Sequence, residues 1–290
     1  AWNIFTHNPS VQISRKYFSE LMKGGEIADY LASHSLKTLV VNPIYGGSLP
    51  TARYCAQALE NLGHEVETVK CEQFADSFFA LDKAARTKPN KEILTNLFMN
   101  FMSEVIVAKA AEFKPDFILA LAQAPLNKET IALLKSMGIP ITFWFVEDFR
   151  TLTYWKDIAN AYDYIFTIQR GAFFDELELR KGVNYYYLPQ ACLPSQHKPV
   201  KSTDEDKKKY EANLSFMGEA YYNRVQSFPQ LLDFNLKIWG TGWDKKSGFG
   251  PYLQNNGERV SSDDCVKIFN NTKINLNLHS STFHKDVNPH

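Results

Sequence analysis

The sequence predicts an α/β protein made of two Rossmann-like, doubly wound domains, the second incomplete at its C-terminal end. Three observations carry this. Six β-prone apolar runs alternate with helical patterns up to about residue 188. A charged stretch poor in large aliphatics, residues 196–212, then interrupts the pattern. From Asn213 the chain starts again as strand, glycine, helix and strand.

Taken in order, residues 1–35 have an amphipathic helical pattern (Tyr17, Phe18, Leu21, Met22) and predict a leader helix packed on the first domain. The run KTLVVN from Lys37 is the continuous apolar type found in central parallel strands. The loop NPIYGGSLP follows, then a helix over about 50–62 ending at Gly63, and HEVETVK as the next strand. Residues 72–90 read as a polar, irregular connection. A long helix over about 90–113 presents Ile93, Leu97, Phe101, Val105 and Ala108 on one face. Strands near 116, 141, 164 and 184 complete the six, giving domain bounds of 36–195. In such sheets ligands lie beyond the strand C-termini, which directs attention to the loops 44–49, 123–126, 147–150, 169–171 and 189–194. In the second domain, 213–290, a helix is expected over 221–232 and a strand over LKIWG. Ser261 reads as an N-cap ahead of Asp263 and Asp264, and KINLNLHS as the last strand.

Composition sets the outer bounds. The chain has 290 residues, of which 44% are hydrophobic, enough for sizeable cores. Lys plus Arg (32) balances Asp plus Glu (32), which gives no footprint for nucleic acid or an anionic membrane. The four cysteines are scattered and form no CxxC pair, so neither metal nor disulfide framework is expected. Cys55 and Cys265 fall on apolar helix faces, as small buried hydrophobes do. With no apolar run of membrane-spanning length and no charged-then-apolar leader, the expectation is a soluble, cytoplasmic protein without a transmembrane segment. Ala1 at the start, and His290 just after Asn288-Pro289, read as cut or processed ends.

The candidate site residues follow from chemistry. The stretch 213–243 puts Gly218 between a strand and a helix carrying Arg224, a pattern that offers backbone N–H groups and positive charge to an anion. Gly240 and Gly242 end the next strand, and Trp243 after them either stacks a ligand ring or packs in the core. Gly46 and Gly47 allow close backbone approach in the first domain, though not in GxGxxG spacing. Glu147 and Asp148 end a buried strand. Neighbouring strand residues point to opposite sides, so at most one of them faces a ligand crevice as a base, and an anchoring pair with Arg150 is the alternative. His279 ends the last strand. His284 and Asp286 lack a third ligand at metal spacing, so no metal is predicted.

The segments FWFVEDFR (143–150), YLPQACLP (187–194), LSFMGEAYYNR (214–224), LKIWGTGW (236–243) and INLNLHSSTFHKDVNP (274–289), in this order, resemble the CgeB-like (spore maturation protein) glycosyltransferases. The resemblance runs from Leu39 to the end. It implies the two-domain GT-B fold, with a nucleotide-sugar donor held mainly by the C-terminal domain, an acceptor (glycan, protein or small molecule) by the N-terminal one, and chemistry in the cleft between them. It implies that Gly218–Arg224 lies near the diphosphate, Gly240, Gly242 and Trp243 near base and ribose, and the loop with His279 and Asn288 near the sugar. It implies no cofactor beyond the donor itself. The family pattern continues past Asn288 with a donor-binding glutamate, so the donor domain is expected to be incomplete here. The rival reading is a non-catalytic, two-lobed binder of small ligands or nucleotide sugars. A dinucleotide-dependent oxidoreductase is disfavoured because neither glycine loop has the required spacing.

Overall fold

The computed structural model describes residues 35–279. The expected leader helix in residues 1–35, apart from Ser35, and the expectations for Asn288, His284 and Asp286 lie outside them. The chain divides between Gln190 and Ala191 into two compact units, each with its own parallel sheet. The expected fold class, α/β with two parallel sheets, holds.

In the first unit the strands are β1 (Lys37–Val41), β2 (Glu65–Val69), β3 (Phe117–Leu121), β4 (Ile141–Phe145), β5 (Tyr164–Thr167) and β6 (Tyr185–Tyr187). They pair in parallel in the order β2-β1-β3-β4-β5-β6. Five parallel pairings need five crossovers, and helices supply most of them: α1 (Ser48–Asn61), α2 (Ala75–Ala84), α3 (Lys88–Phe113), α4 (Lys128–Ser136), α5 (Trp155–Ile158) and α6 (Ala172–Glu178). The central strands are apolar on both faces because helices cover both, and β4 (ITFWF) is buried along its whole length. The core beyond β4 is aromatic. Phe149 stacks on Phe173 at 4.8 Å, and Trp155 meets the same ring edge-on at 4.8 Å. The Trp155 indole also donates to Phe149 O at 2.9 Å, which ties the loop after β4 to α5.

Two expectations for these segments need correction. Residues 72–90 are not irregular: a 3₁₀ turn (Cys71–Phe74) and α2 fill them, with Phe74 and Phe78 packed against the core. The long helix α3 exists, but Ile93, Leu97 and Phe101 are exposed, and the buried positions are Met102, Ser103, Ile106 and Ala110. Its sequence is apolar on most sides, so periodicity alone did not single out one face. By length and composition α3 is also the one helix among the described residues long and apolar enough to cross a bilayer. Here it is the crossover between β2 and β3, packed on β1, β2, α2 and α4.

A third correction is in the second unit, where the charged stretch read as a linker carries α7 (Asp204–Tyr210). Thr203 and Asp206 form a reciprocal capping box at its start, and Tyr210 is buried. The sheet here has the order β8-β7-β9, from β7 (Ala212–Met217), β8 (Leu236–Trp239) and β9 (Thr272–Leu276). Between β7 and β8 the expected single helix is α8 (Tyr222–Ser227) followed by a 3₁₀ stretch (Phe228–Phe234). Pro229 explains the change, since it has no N–H for the i−4 carbonyl and its ring disfavours helical geometry before it. Ser261 caps α9 (Ser262–Asn271) as expected, accepting the Asp264 N–H at 3.1 Å.

Candidate functional site

The strand ends of the second unit bring together most of the residues expected to hold a donor. After β7 and β8 the two loops run in close contact. The Gly218 N–H donates to Trp239 O at 2.9 Å, and the Ala220 N–H to Thr241 O at 3.0 Å. Gly240 has a φ of +129°, and a Cβ there would sit 2.7 Å from the Gly218 carbonyl carbon and closer still to its oxygen. Glycine is therefore required twice over, by conformation and by space. Gly242 is also left-handed, and a Cβ would approach the Glu219 side chain at 3.3 Å.

Trp243 clamps this arrangement from below. Its ring is buried, stacked on Phe228 at 5.9 Å and edge-on to Phe249 at 5.0 Å. Its indole N–H donates to Gly218 O at 3.0 Å. The two expectations for Trp243 are thereby separated: its ring is core, with no free face for a base, and it acts on the site by fixing the Gly218 carbonyl.

Arg224, on α8, lies against the same loop. Its Nη1 donates to Glu219 O at 2.8 Å and its Nε to Leu278 O at 2.9 Å, while the guanidinium sits over the Phe216 and Tyr221 rings at 4.9 and 5.2 Å. No carboxylate lies within ion-pair distance of it among the described residues. Burial holds its pKa below the usual arginine range, with Tyr221 and Glu219 acting the other way. A guanidinium stays charged through such a shift, so Arg224 brings one positive charge to the loop, which Glu219 balances in formal count, and its Nη2 remains as a further donor. The exit of β9 closes in from the other side, where Asn223 Nδ2 donates to His279 O at 2.7 Å. Burial lowers the His279 pKa first, and the Arg224 charge adds to it.

The first unit assembles a separate concave region at the C-terminal ends of its strands. Strand order reverses between β1 and β3, the point at which doubly wound sheets open a crevice. A cavity of about 390 Å³ lies there, lined by the loop after β1, the loop after β3, Tyr154, and residues of α2 and α3. Gly46 has a φ of +107°, and a Cβ there would lie 2.6 Å from Gln123 Oε1, so this glycine makes room for the Gln123 side chain. Gly47 has ordinary helical geometry and open space around its missing Cβ, and nothing in its surroundings requires glycine.

The two acids at the end of β4 are divided by their surroundings. Asp148 Oδ1 accepts the Arg150 N–H at 2.8 Å and the Thr151 N–H at 3.4 Å, and its Oδ2 meets Arg150 Nη2 at 3.3 Å. That is the anchoring pair raised from the sequence. Glu147 is half-buried beside Tyr154. The phenol of Tyr154 is raised, by burial first, with the Glu147 charge adding to it. Sequence reasoning missed Gln123 and Tyr154. The strand-end rule pointed to the Gln123 loop, but nothing local marked either side chain.

Comparisons with known proteins fit these loops. Residues 223–290 match the family model described as glycosyl transferase-like. The second unit thus carries a glycosyl transferase-like domain, and the match takes in Arg224, Gly240, Gly242, Trp243 and His279. No curated protein sequence matches the chain. Among solved structures it is similar to a spinosyn rhamnosyltransferase complexed with spinosyn aglycone (10% identity, 78% of this chain and 70% of that chain, TM-score 0.34). It is also similar to the glycosyltransferase SnogD from Streptomyces nogalater (16% identity, 78% and 72%, TM-score 0.34) and to apo UGT2 of Phytolacca americana (9%, 91% and 70%, TM-score 0.32). Likeness at this level places no residue of the site.

Proposed function

We propose that the protein is a glycosyltransferase, of GT-B type and CgeB-like, that transfers a hexose-type sugar from a nucleotide-diphosphate sugar to a hydroxyl acceptor. The observation that carries the reading is the coincidence of the glycosyl transferase-like match with a glycine loop packed against a guanidinium that has no carboxylate partner among the described residues. A departing nucleoside diphosphate needs such charge, because negative charge builds on its bridging oxygen as the glycosidic bond breaks. In the transfer, the acceptor oxygen forms a bond to the anomeric carbon, the bond from that carbon to the phosphate oxygen breaks, and the diphosphate leaves with the electron pair. The acceptor proton passes to a base, for which Glu147 is the candidate, since Asp148 is tied to its own loop.

The test is sugar transfer or donor hydrolysis with uridine, guanosine, thymidine and adenosine diphosphate sugars, on wild type and on Arg224→Gln and Glu147→Gln. Turnover of one donor, lost in both variants while donor binding is lost only in Arg224→Gln, is the expected result. Donor binding without turnover in wild type would favour the binding-protein reading. No binding of any of the four would overturn the transferase reading and, with it, the nucleotide-sugar form of the binding-protein reading.

A further inference from the structure

The cavity in the first unit has a chemistry of its own. Its walls are apolar and partly aromatic: Ile44 and Tyr45 from the loop after β1, Phe78 from α2, Met99 from α3 and Leu126 from the loop after β3. Its volume, about 390 Å³, suits a small ring system. Tyr45 and Phe78 stack at 5.6 Å and Phe78 packs on Phe98 at 5.5 Å, so one wall is already an ordered aromatic surface.

Thr95, Gln123, Tyr154 and Asp157 interrupt this apolar lining, and two of them, Gln123 and Tyr154, are left half satisfied. The Gln123 side-chain oxygen is buried with no hydrogen-bond donor. The Tyr154 oxygen accepts the Gln123 N–H at 2.7 Å, but its own O–H proton has no acceptor among the described residues. Buried polar groups are nearly always paired, so an unmade acceptor and an unmade donor lining one cavity call for an occupant. Gln123 is moreover held against its preferences, with a φ of +67°, and Gly46 has to lack a side chain for its amide to fit. One group meets both needs: a hydroxyl, which accepts from Tyr154 and donates to Gln123. A carbonyl satisfies only Tyr154, and an ammonium only Gln123.

We infer that this cavity binds the acceptor as a hydroxyl-bearing apolar ring, with the ring on the aromatic wall and the hydroxyl between Gln123 Oε1 and the Tyr154 O–H. The inference rests on the transferase reading for the word acceptor, and on the cavity alone for the ligand class. It narrows the acceptor from any glycan, protein or small molecule to phenolic or alicyclic hydroxyl compounds. It also makes Gln123 and Tyr154 the residues that select for the hydroxyl.

The experiment compares 2-naphthol with naphthalene by saturation-transfer NMR titration on the whole chain, with uridine, guanosine, thymidine and adenosine diphosphate binding measured on the same preparations. For wild type, 2-naphthol is expected to bind about tenfold more tightly than naphthalene, the value of one to two well-made hydrogen bonds. Tyr154→Phe should bring the two ligands within about twofold of each other while leaving naphthalene unchanged. Met99→Trp fills the cavity and should weaken both ligands by more than about tenfold. Should that variant not fold by circular dichroism, Ala124→Phe, on the same wall near the surface, takes its place. Equal binding of the two ligands, a hydroxyl preference that survives Tyr154→Phe, or binding indifferent to the filled cavity would each overturn the inference. A nucleoside diphosphate that binds while 2-naphthol does not leaves the transferase reading standing and this inference refuted. The reverse result refutes the transferase reading and leaves a ring-binding site.

Discussion

Both units use glycine at a strand end, and for different purposes. In the second unit Gly240 lets two backbones meet: its missing Cβ is where the Gly218 carbonyl lies, and Trp243 pins that carbonyl from the core. In the first unit Gly46 lets a side chain approach a backbone, leaving space for Gln123 Oε1. The first arrangement builds a tightly packed loop with a guanidinium against it, the group that the proposed diphosphate would need. The second builds an apolar hollow with one exposed hydrogen-bonding choice.

Substitutions at the glycines test the contrast. Gly240→Ala should cost about 3 kcal/mol of stability in urea melts, combining left-handed strain with a backbone clash that cannot relax. Arg224→Gln should lower stability by about 1–2 kcal/mol, through the lost contacts to the Glu219 and Leu278 carbonyls, and weaken nucleoside diphosphate binding by a factor on the order of 10 to 100, measured by calorimetry, as expected for a lost charge-assisted contact. Gly46→Ala should cost about 1–2 kcal/mol, less than Gly240→Ala because the obstructing atom is the end of a side chain, and it should also weaken 2-naphthol binding. Gly47→Ala, with open space and helical φ, should stay within about 0.5 kcal/mol of wild type or stabilise slightly. If Gly46→Ala and Gly47→Ala behave alike, the Gln123 contact is not what the glycine provides.

A pH effect distinguishes the units by a different route. The Thr203 hydroxyl and N–H hold the Asp206 carboxylate, with Lys267 at 3.0 Å, and bring its pKa down to about 2. A carboxylate with a folded pKa below its unfolded value adds stability that is fully present above the unfolded value, near 4, and is lost as pH falls through the folded one. The destabilisation caused by Asp206→Asn should therefore be largest at neutral pH and shrink between about pH 4 and pH 2, in the melting of the second unit.

Strands β1, β3, β4 and β5 of the first sheet were legible because each is a short apolar run largely buried on both faces, and the cap at Ser261 because its chemistry is local. The helix over 204–210 was missed for the opposite reason. Its charged surface looks like a linker, although Thr203 with Asp206 is a capping signature that was present to be read. The extent of the helix after Gly218 was overread across Pro229. At the candidate site, the sequence could single out Gly218, Arg224 and Gly240 because a strand-turn-helix pattern is contiguous in sequence. Gln123 and Tyr154 were not, because their meaning arises only when the loop after β3 folds against Gly46 and the segment after β4. Trp243 was ambiguous in sequence, since a tryptophan after a glycine turn suits core and ligand equally, and only its burial decides.

The most direct measurement is hydrogen–deuterium exchange of the whole chain with and without each of the four nucleoside diphosphates. The account predicts that one of them slows exchange at 218–224 and 240–243 in wild type, leaves 44–47 and 123–126 unaffected, and has no effect in Arg224→Gln. Protection centred on 44–47 and 123–126, or protection that persists in Arg224→Gln, would contradict it.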